Sequence, residues 1–206
     1  MSFVLKLPEP PCVAELPFAD YAFPQAAEGW NGMVLVGEAP GAEEARLGRP
    51  FVGRSGQLLD KTLEKAGIKR ECCLIANVFR RQPPGNKIDH FFGSRRASVT
   101  QGFGLAEIYG KFGSAFCRAD FAADIDHLRE VLIKQKPAII VALGRTPLWA
   151  LTGENGLLDK VGRALPCRLL PSVQVIPTYH PSFILRGNWK LQDEWVGHFV
   201  MAKKLA

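Results

Sequence analysis

Apolar residues along this chain gather in short, nearly continuous runs rather than in alternating ones. MVLV at 33–36, CCLIANV at 72–78, AIIVAL at 138–143 and VQVIP at 173–177 each predict a strand buried on both faces. Helical spacing lies between and after them. Over 55–66, Leu58, Leu59, Leu63 and Ala66 share a face, Ser55 is placed to cap the start and Gly67 to end it. Residues 122–135 repeat the spacing through Ile125, Leu128 and Leu132, and 191–205 predict a closing helix. Buried strands alternating with helices predict a three-layer α/β/α sandwich around a central, mostly parallel four-stranded sheet. In such folds ligands sit beyond the carboxyl ends of the strands. GEAPG at 37–41, NVFRRQPPGN at 77–86 and YHPSFILR at 179–186 all follow predicted strands.

Two stretches break the rhythm. Residues 1–30 are rich in proline and aromatics and predict an extended arm packed on the domain. Residues 86–119 carry Lys87, Arg95, Arg96, Lys111 and Arg118 against Asp89 and Glu107. That segment is too long for an ordinary connection and reads as a lid, a binding loop or a mobile insert. The whole, 1–206, is expected to be one domain.

Composition narrows the class. A chain of 206 residues, 47% hydrophobic, can bury a core of its own. No apolar run approaches the length of a membrane span, and MSFVLKLPEPPC lacks the order of a signal peptide, so a cytoplasmic protein is expected. A net charge of +6 suits a polyanionic partner, although many basic proteins bind no nucleic acid. Cys12, Cys72, Cys73, Cys117 and Cys167 are scattered without a CxxC, which predicts free thiols and neither a disulfide framework nor a zinc site.

Gly37 and Gly41 allow a tight turn and close approach to a ligand, but neither a GK[ST] nor a GxGxxG phosphate loop is present. The longer strings are more specific. GEAPGAEEARLGRPFVGRSGQLLDKTLEKAGI, LIANVFRRQPPGN, PAIIVALG and VIPTYHPSFILR occur in order. They resemble the uracil-DNA glycosylase superfamily, and most closely its family 4 branch, whose patterns read GEAPGxxEDxxGxPFVGxAGxLL, NVxKCRPPxNR and PTxHPSxLLR. The resemblance leaves out 1–30 and 86–119.

The resemblance implies an enzyme that hydrolyses the N-glycosidic bond of uracil in DNA, with uracil and an abasic site as products. It implies that Phe51 stacks on the flipped base, with Gly37, Ala39 and Gly41 around it. Asn77 would read the base edge, since its amide can donate to O4 and accept from N3–H, a pattern that cytosine reverses. His180 would donate a hydrogen bond to O2 as negative charge develops there. Glu38 and Glu44 match the acidic positions, and either one is a candidate to stabilise a cationic sugar or position water. Ser182, Phe183, Ile184, Leu185 and Arg186 would meet DNA, one apolar residue entering the duplex where the base has left. Arg80, Arg81 and Lys87 are candidates for phosphate contact. No lysine falls in these motifs, so no strand cleavage is expected, and a monomer is the superfamily's default.

The chain departs from the pattern in three places. Family 4 enzymes carry a four-cysteine iron–sulfur cluster, but here the KC of the second motif is Arg80–Arg81, and Asp124 or a neighbour stands at a further cysteine position. A cluster needs thiolates, so no cofactor and no metal are expected. Ala45 replaces the second acid of the ED pair, and Ala39 stands where the GQDPY enzymes have a water-activating Asp. Gly41 stands where those enzymes have a bulky tyrosine. These departures keep two rivals open: a DNA or abasic-site binding protein with little turnover, and a glycosylase that reaches other deaminated bases such as hypoxanthine.

Overall fold

The computed structural model describes residues 16–25 and 29–206. Pro10, Pro11 and Cys12, with the rest of the arm before residue 16, lie outside the described residues. In chain order the strands are β1 (Met33–Gly37), β2 (Leu74–Asn77), β3 (Phe92–Gly93), β4 (Lys111–Phe112), β5 (Ala115–Cys117), β6 (Ile139–Leu143), β7 (Leu165–Pro166) and β8 (Gln174–Thr178). The helices are α1 (Ala42–Leu47), α2 (Arg54–Lys65), α3 (Arg95–Gln101), α4 (Ala122–Gln135), α5 (Arg145–Thr152), α6 (Pro181–Leu185) and α7 (Gln192–Leu205).

The central sheet runs β2-β1-β6-β8-β7. The first four strands are parallel, with Val34 beside Leu74 and Ile140, and Val141 beside Ile176. This sheet has five strands, not the expected four. The fifth, β7, is a two-residue antiparallel edge that contains Pro166 and has no apolar run to announce it. Alternate residues of β1 feed two cores. Val34 and Val36 pack with Ile125, Leu128 and Leu132 of α4 and Trp149 of α5. Met33 and Leu35 pack with Leu59 and Leu63 of α2 and Trp195 and Phe199 of α7. Burial on both faces is the reason the strands read as continuous runs.

Residues 86–119 are neither a simple loop nor a detached lid. Strands β3, β5 and β4 form a small antiparallel sheet, and Phe91, Phe92, Phe116 and Cys117 are buried. The Phe91 ring stacks on Phe79 at 4.1 Å, which joins the insert to the main core. The described part of the arm lies along β2 and the chain leaving it, through Ala22 opposite Ile75 and Phe18 opposite Arg81. No helix among the described residues is long and apolar enough to cross a membrane.

Candidate active site

The sheet brings the three quoted segments to one edge. Gly37 ends β1 beside Asn77, which ends β2, and Thr178 ends β8 two residues before His180. A cavity of about 260 Å³ opens there, lined by Glu38, Ala39, Gly41, Phe51, Asn77 and His180 among others. A Cβ on Gly37 would lie 2.5 Å from the Phe51 ring and against the Asn77 carboxamide, so only glycine lets both side chains reach the cavity. Asn77 is 3% exposed, and its amide has no hydrogen-bond partner among the described residues. Its polar atoms are not among the side-chain atoms that are both buried and unpartnered, so they remain open to the cavity that Asn77 lines and are available to a ligand.

Phe51 has φ +52°, a left-handed conformation that a bulky residue rarely adopts. Its neighbours hold it there. Val52 N and Gly53 N donate to Glu44 Oε1 at 3.2 and 3.0 Å, and Arg70 Nη2 donates to Pro50 O at 3.0 Å. Strain of this kind persists where surrounding contacts over-determine it, commonly at ligand sites. The Phe51 ring is 6% exposed and lies 5.8 Å from the His180 ring, so it packs in the core and also walls the cavity. Helix α2 begins at Arg54 with Gly53 as its cap residue, not Ser55 as expected. The Glu44 carboxylate, brought from nine residues upstream, serves the Gly53 N–H, and Ser55 lines the cavity instead.

His180 caps α6. Ser182 N donates to its Nδ1 at 3.1 Å, and Ser182 Oγ lies 2.8 Å from the same nitrogen. Arg186 Nη1 donates to that hydroxyl at 3.2 Å, which orients the Ser182 proton toward the imidazole. A nitrogen that accepts from a backbone N–H carries no proton, so the neutral ring holds its proton on Nε2. Nε2 has no protein partner among the described residues and belongs to a ring that lines the cavity. Burial, with Arg186 adding to it, pushes the His180 pKa down to about 4, so the ring is a neutral donor at physiological pH.

Glu38 accepts a hydrogen bond from Thr146 Oγ1, on the first turn of α5. Burial raises its pKa, while the Thr146 hydroxyl and the Arg145 charge partly oppose that. Glu38 lines both this cavity and a larger one beside it. Glu44 differs from the free catalytic carboxylate that was one expectation. It is tied to the 52–53 backbone, and its Oε2 would lie 2.8 Å from a Cβ on Gly41, so it fills the space that a side chain at position 41 would enter.

Of the residues expected to meet DNA, Ser182, Phe183 and Arg186 line the larger cavity and Leu185 is half-buried. Ile184 is fully buried in the core, because the second turn position of α6 faces the sheet, so it cannot enter a duplex without leaving its packing. Arg80 and Arg81 line neither cavity. Arg80 Nε donates to Asp124 Oδ1 at 3.1 Å and Arg81 Nη1 to Leu16 O at 3.2 Å, and both guanidinium groups lie over the Phe18 ring. Lys87 is exposed and outside both linings. Sequence reasoning gave no role to Arg145 or Thr146, whose importance depends on β6 ending beside β1. Asn86, in the PPGN segment, also lines the cavity, and nothing in its local sequence sets it apart from a turn residue.

The residues that the resemblance sets at cluster positions are held in other bonds. Asp124 is paired with Arg80, and Arg81 is held to the arm. Cys73, Cys117 and Cys167 are free thiols and, like Cys72, are buried, and burial raises the thiols of Cys73 and Cys117 to about 11 and about 12. Among the described residues no three potential ligands gather in one place. These residues do not fit a four-thiolate cluster.

A family model described as the uracil DNA glycosylase superfamily matches residues 31–202. The type-4 uracil-DNA glycosylase of Thermotoga maritima is 37% identical over 157 residues, which cover 76% of this chain and 67% of the relative. That of Archaeoglobus fulgidus is 47% identical over 181 residues, 81% of this chain and 73% of the relative. That of Pyrobaculum aerophilum is 32% identical over 171 residues, with 80% and 74% covered. The match takes in every strand of the central sheet and every residue named around the cavity, and the chain belongs to the uracil-DNA glycosylase superfamily.

Proposed function

We propose that this protein excises uracil from DNA by hydrolysing its N-glycosidic bond. The observation that carries the reading is the convergence of an unpartnered Asn77 amide, a neutral His180 Nε2–H and the Phe51 ring on one cavity. A base inside a duplex cannot reach such a cavity, so the target nucleotide is rotated out of the stack. Phe51 stacks on the ring without choosing the base. Asn77 chooses it: the amide donates to uracil O4 and accepts from N3–H, and cytosine would leave both groups facing like partners.

As the bond from C1′ to N1 breaks, its electron pair leaves with uracil, and His180 Nε2–H stabilises the charge that builds on O2. The sugar becomes cationic beside Glu38. Water attacks C1′, Glu38 takes its proton, and the proton passes to the uracil anion. Uracil and an abasic site remain. No lysine among the described residues lines either cavity, which supports hydrolysis without strand cleavage. Glu44 acts by holding the Phe51 turn rather than at the reacting atoms. The donor set supports a protein without an iron–sulfur cluster, and the free thiols support a reducing compartment such as the cytoplasm. A monomer on DNA belongs to the same proposal.

The test is a labelled oligonucleotide with one uracil, incubated with protein and then alkali, beside matched hypoxanthine and thymine-mismatch substrates. Cleavage is expected at uracil alone. His180→Ala should lower kcat by about 10²–10³-fold, the effect of removing one donor to a developing oxyanion. Asn77→Ala should erode the preference for uracil over cytosine. Tight DNA binding without cleavage of any substrate would overturn the reading in favour of a binding protein, and cleavage at hypoxanthine would widen the substrate class.

A further inference from the structure

Helix α7 carries a polar pair outside the base pocket. Its residues Trp195, Phe199 and Ala202 are buried and lock it against the sheet. Glu194 and His198 each stand one residue before the first two of these, so both flank the buried stripe on the same side. They meet the chain where β8 ends. Thr178 Oγ1 lies 2.8 Å from His198 Nδ1, and the Tyr179 hydroxyl donates to Glu194 Oε1 at 3.0 Å. The same Glu194 oxygen lies 3.7 Å from His198 Nε2. A carboxylate on that side draws the imidazole proton to Nε2, which leaves Nδ1 to accept from the Thr178 hydroxyl.

Thr178 and Tyr179 are the two residues before His180, and both are buried. Thr178 is held a second time, by Gly144 N donating to its carbonyl at 2.9 Å. Burial and the bond to Glu194 raise the Tyr179 pKa, so its phenol stays protonated and donates. The Tyr179 ring also stacks on Phe183 at 5.5 Å, on the far side of His180 in the chain. One ring therefore grips the His180 turn from both ends. The His198 ring is walled in by the turn before β7: a Cβ on Gly162 would lie 2.8 Å from its Nε2, and Gly162 N donates to Pro177 O at 2.9 Å. Thr178, Glu194 and His198 line neither cavity, so they reach a substrate only through other residues.

We propose that Glu194 and His198 are positioning residues for uracil excision: by fixing Tyr179 and Thr178 they hold the His180 Nε2–H in place as the glycosidic bond breaks. The proposal rests on the glycosylase reading. A donor stabilises developing charge only while it stays within hydrogen-bond distance, and a misplacement of about 1 Å can slow a reaction by about 10²-fold. Helix α6, which His180 caps, has five residues, and a helix that short does not hold its own place. Helix α7 has 14 residues and three side chains in the core. Two side-chain bonds from the longer helix to the residues entering the shorter one supply the precision that α6 lacks.

The experiment measures single-turnover uracil release from an oligonucleotide with one uracil, across protein concentrations in excess of DNA, which separates the maximal rate from the half-saturating concentration. Tyr179→Phe keeps the ring and its stack and removes only the hydroxyl, and Thr178→Val removes only the bond to His198. Each should lower the maximal rate by about tenfold and leave half-saturation unchanged. Glu194→Ala should slow release as well, and adding Tyr179→Phe to it should slow it no further, since both remove one bond. Glu194→Gln keeps an acceptor for the phenol and should restore most of the rate. Asp193→Asn, the same loss of charge on an exposed neighbour outside both linings, should leave the rate unaltered. In a His180→Ala background Tyr179→Phe should have no further effect. An equal loss in both backgrounds, or wild-type rates in both Tyr179→Phe and Thr178→Val, would overturn the positioning role while leaving uracil excision standing. Failure of the wild type to release uracil would sink the glycosylase reading itself.

Discussion

His180 is set as a donor by its own helix. Ser182 N–H occupies Nδ1, which leaves the proton on Nε2, and burial keeps the ring neutral down to about pH 4. Glu38 is shifted the opposite way, its pKa raised by burial above the ordinary carboxylate range. The two groups therefore make separable contributions to a pH profile. If Glu38 acts as the base, its ionised form is lost as pH falls through that raised pKa, which lies above the lowered pKa of His180. The acid limb of kcat/KM should then lie above the pH expected of an ordinary glutamate. Glu38→Gln should abolish this limb as well as slow the reaction, measured as kcat/KM from neutral pH down toward 4. A limb that persists in Glu38→Gln would assign the ionisation to another group.

The turn between α1 and α2 shows why side-chain identity alone misleads at the level of the element. Ser55 has the right chemistry for a cap and stands at the expected place, but a carboxylate from α1 reaches the Gly53 N–H first. Glu44 was legible as an acid of the motif. That its oxygen would accept from the 52–53 backbone depended on the chain folding back after Gly48, which no local pattern states. Since Glu44 fixes the strained Phe51 turn, Glu44→Ala should cost about 1 kcal/mol of stability, as loss of a helix cap does, and should loosen base binding as well. Thermal unfolding with and without an abasic-site oligonucleotide would show both effects. An unchanged melting temperature would mean that the turn holds itself.

At the scale of the molecule, residues resembling cluster positions have become a polar and aromatic staple. Asp124 accepts from both the Arg80 side chain and its backbone N–H, at 3.1 Å each, and Arg80 and Arg81 clasp Phe18 of the arm. Ala19 N to Arg80 O at 2.9 Å and Gln82 N to Pro17 O at 2.7 Å extend the seam. Asp124→Ala would leave a charged donor and a backbone donor without their acceptor, and should destabilise the protein by about 2 kcal/mol in urea unfolding. The purified protein should carry no iron, and stoichiometric iron would show that thiols outside this seam had assembled a cluster after all.

The sequence by itself determined the sandwich, its parallel strands and the edge where the chemistry lies, because two-sided burial writes itself as continuous apolar runs and ligand loops follow strand ends. It also marked Asn77, Phe51, His180 and Glu38 as candidate site residues, through motifs in fixed order. Tertiary structure alone decided what depends on segments distant in the chain. It gave the edge strand β7 its partner, turned Ile184 into the core, and brought Thr146 to Glu38 across 108 residues. It also made the insert a brace for the turn at Asn155, since contacts between remote segments leave no period or spacing in the sequence of either.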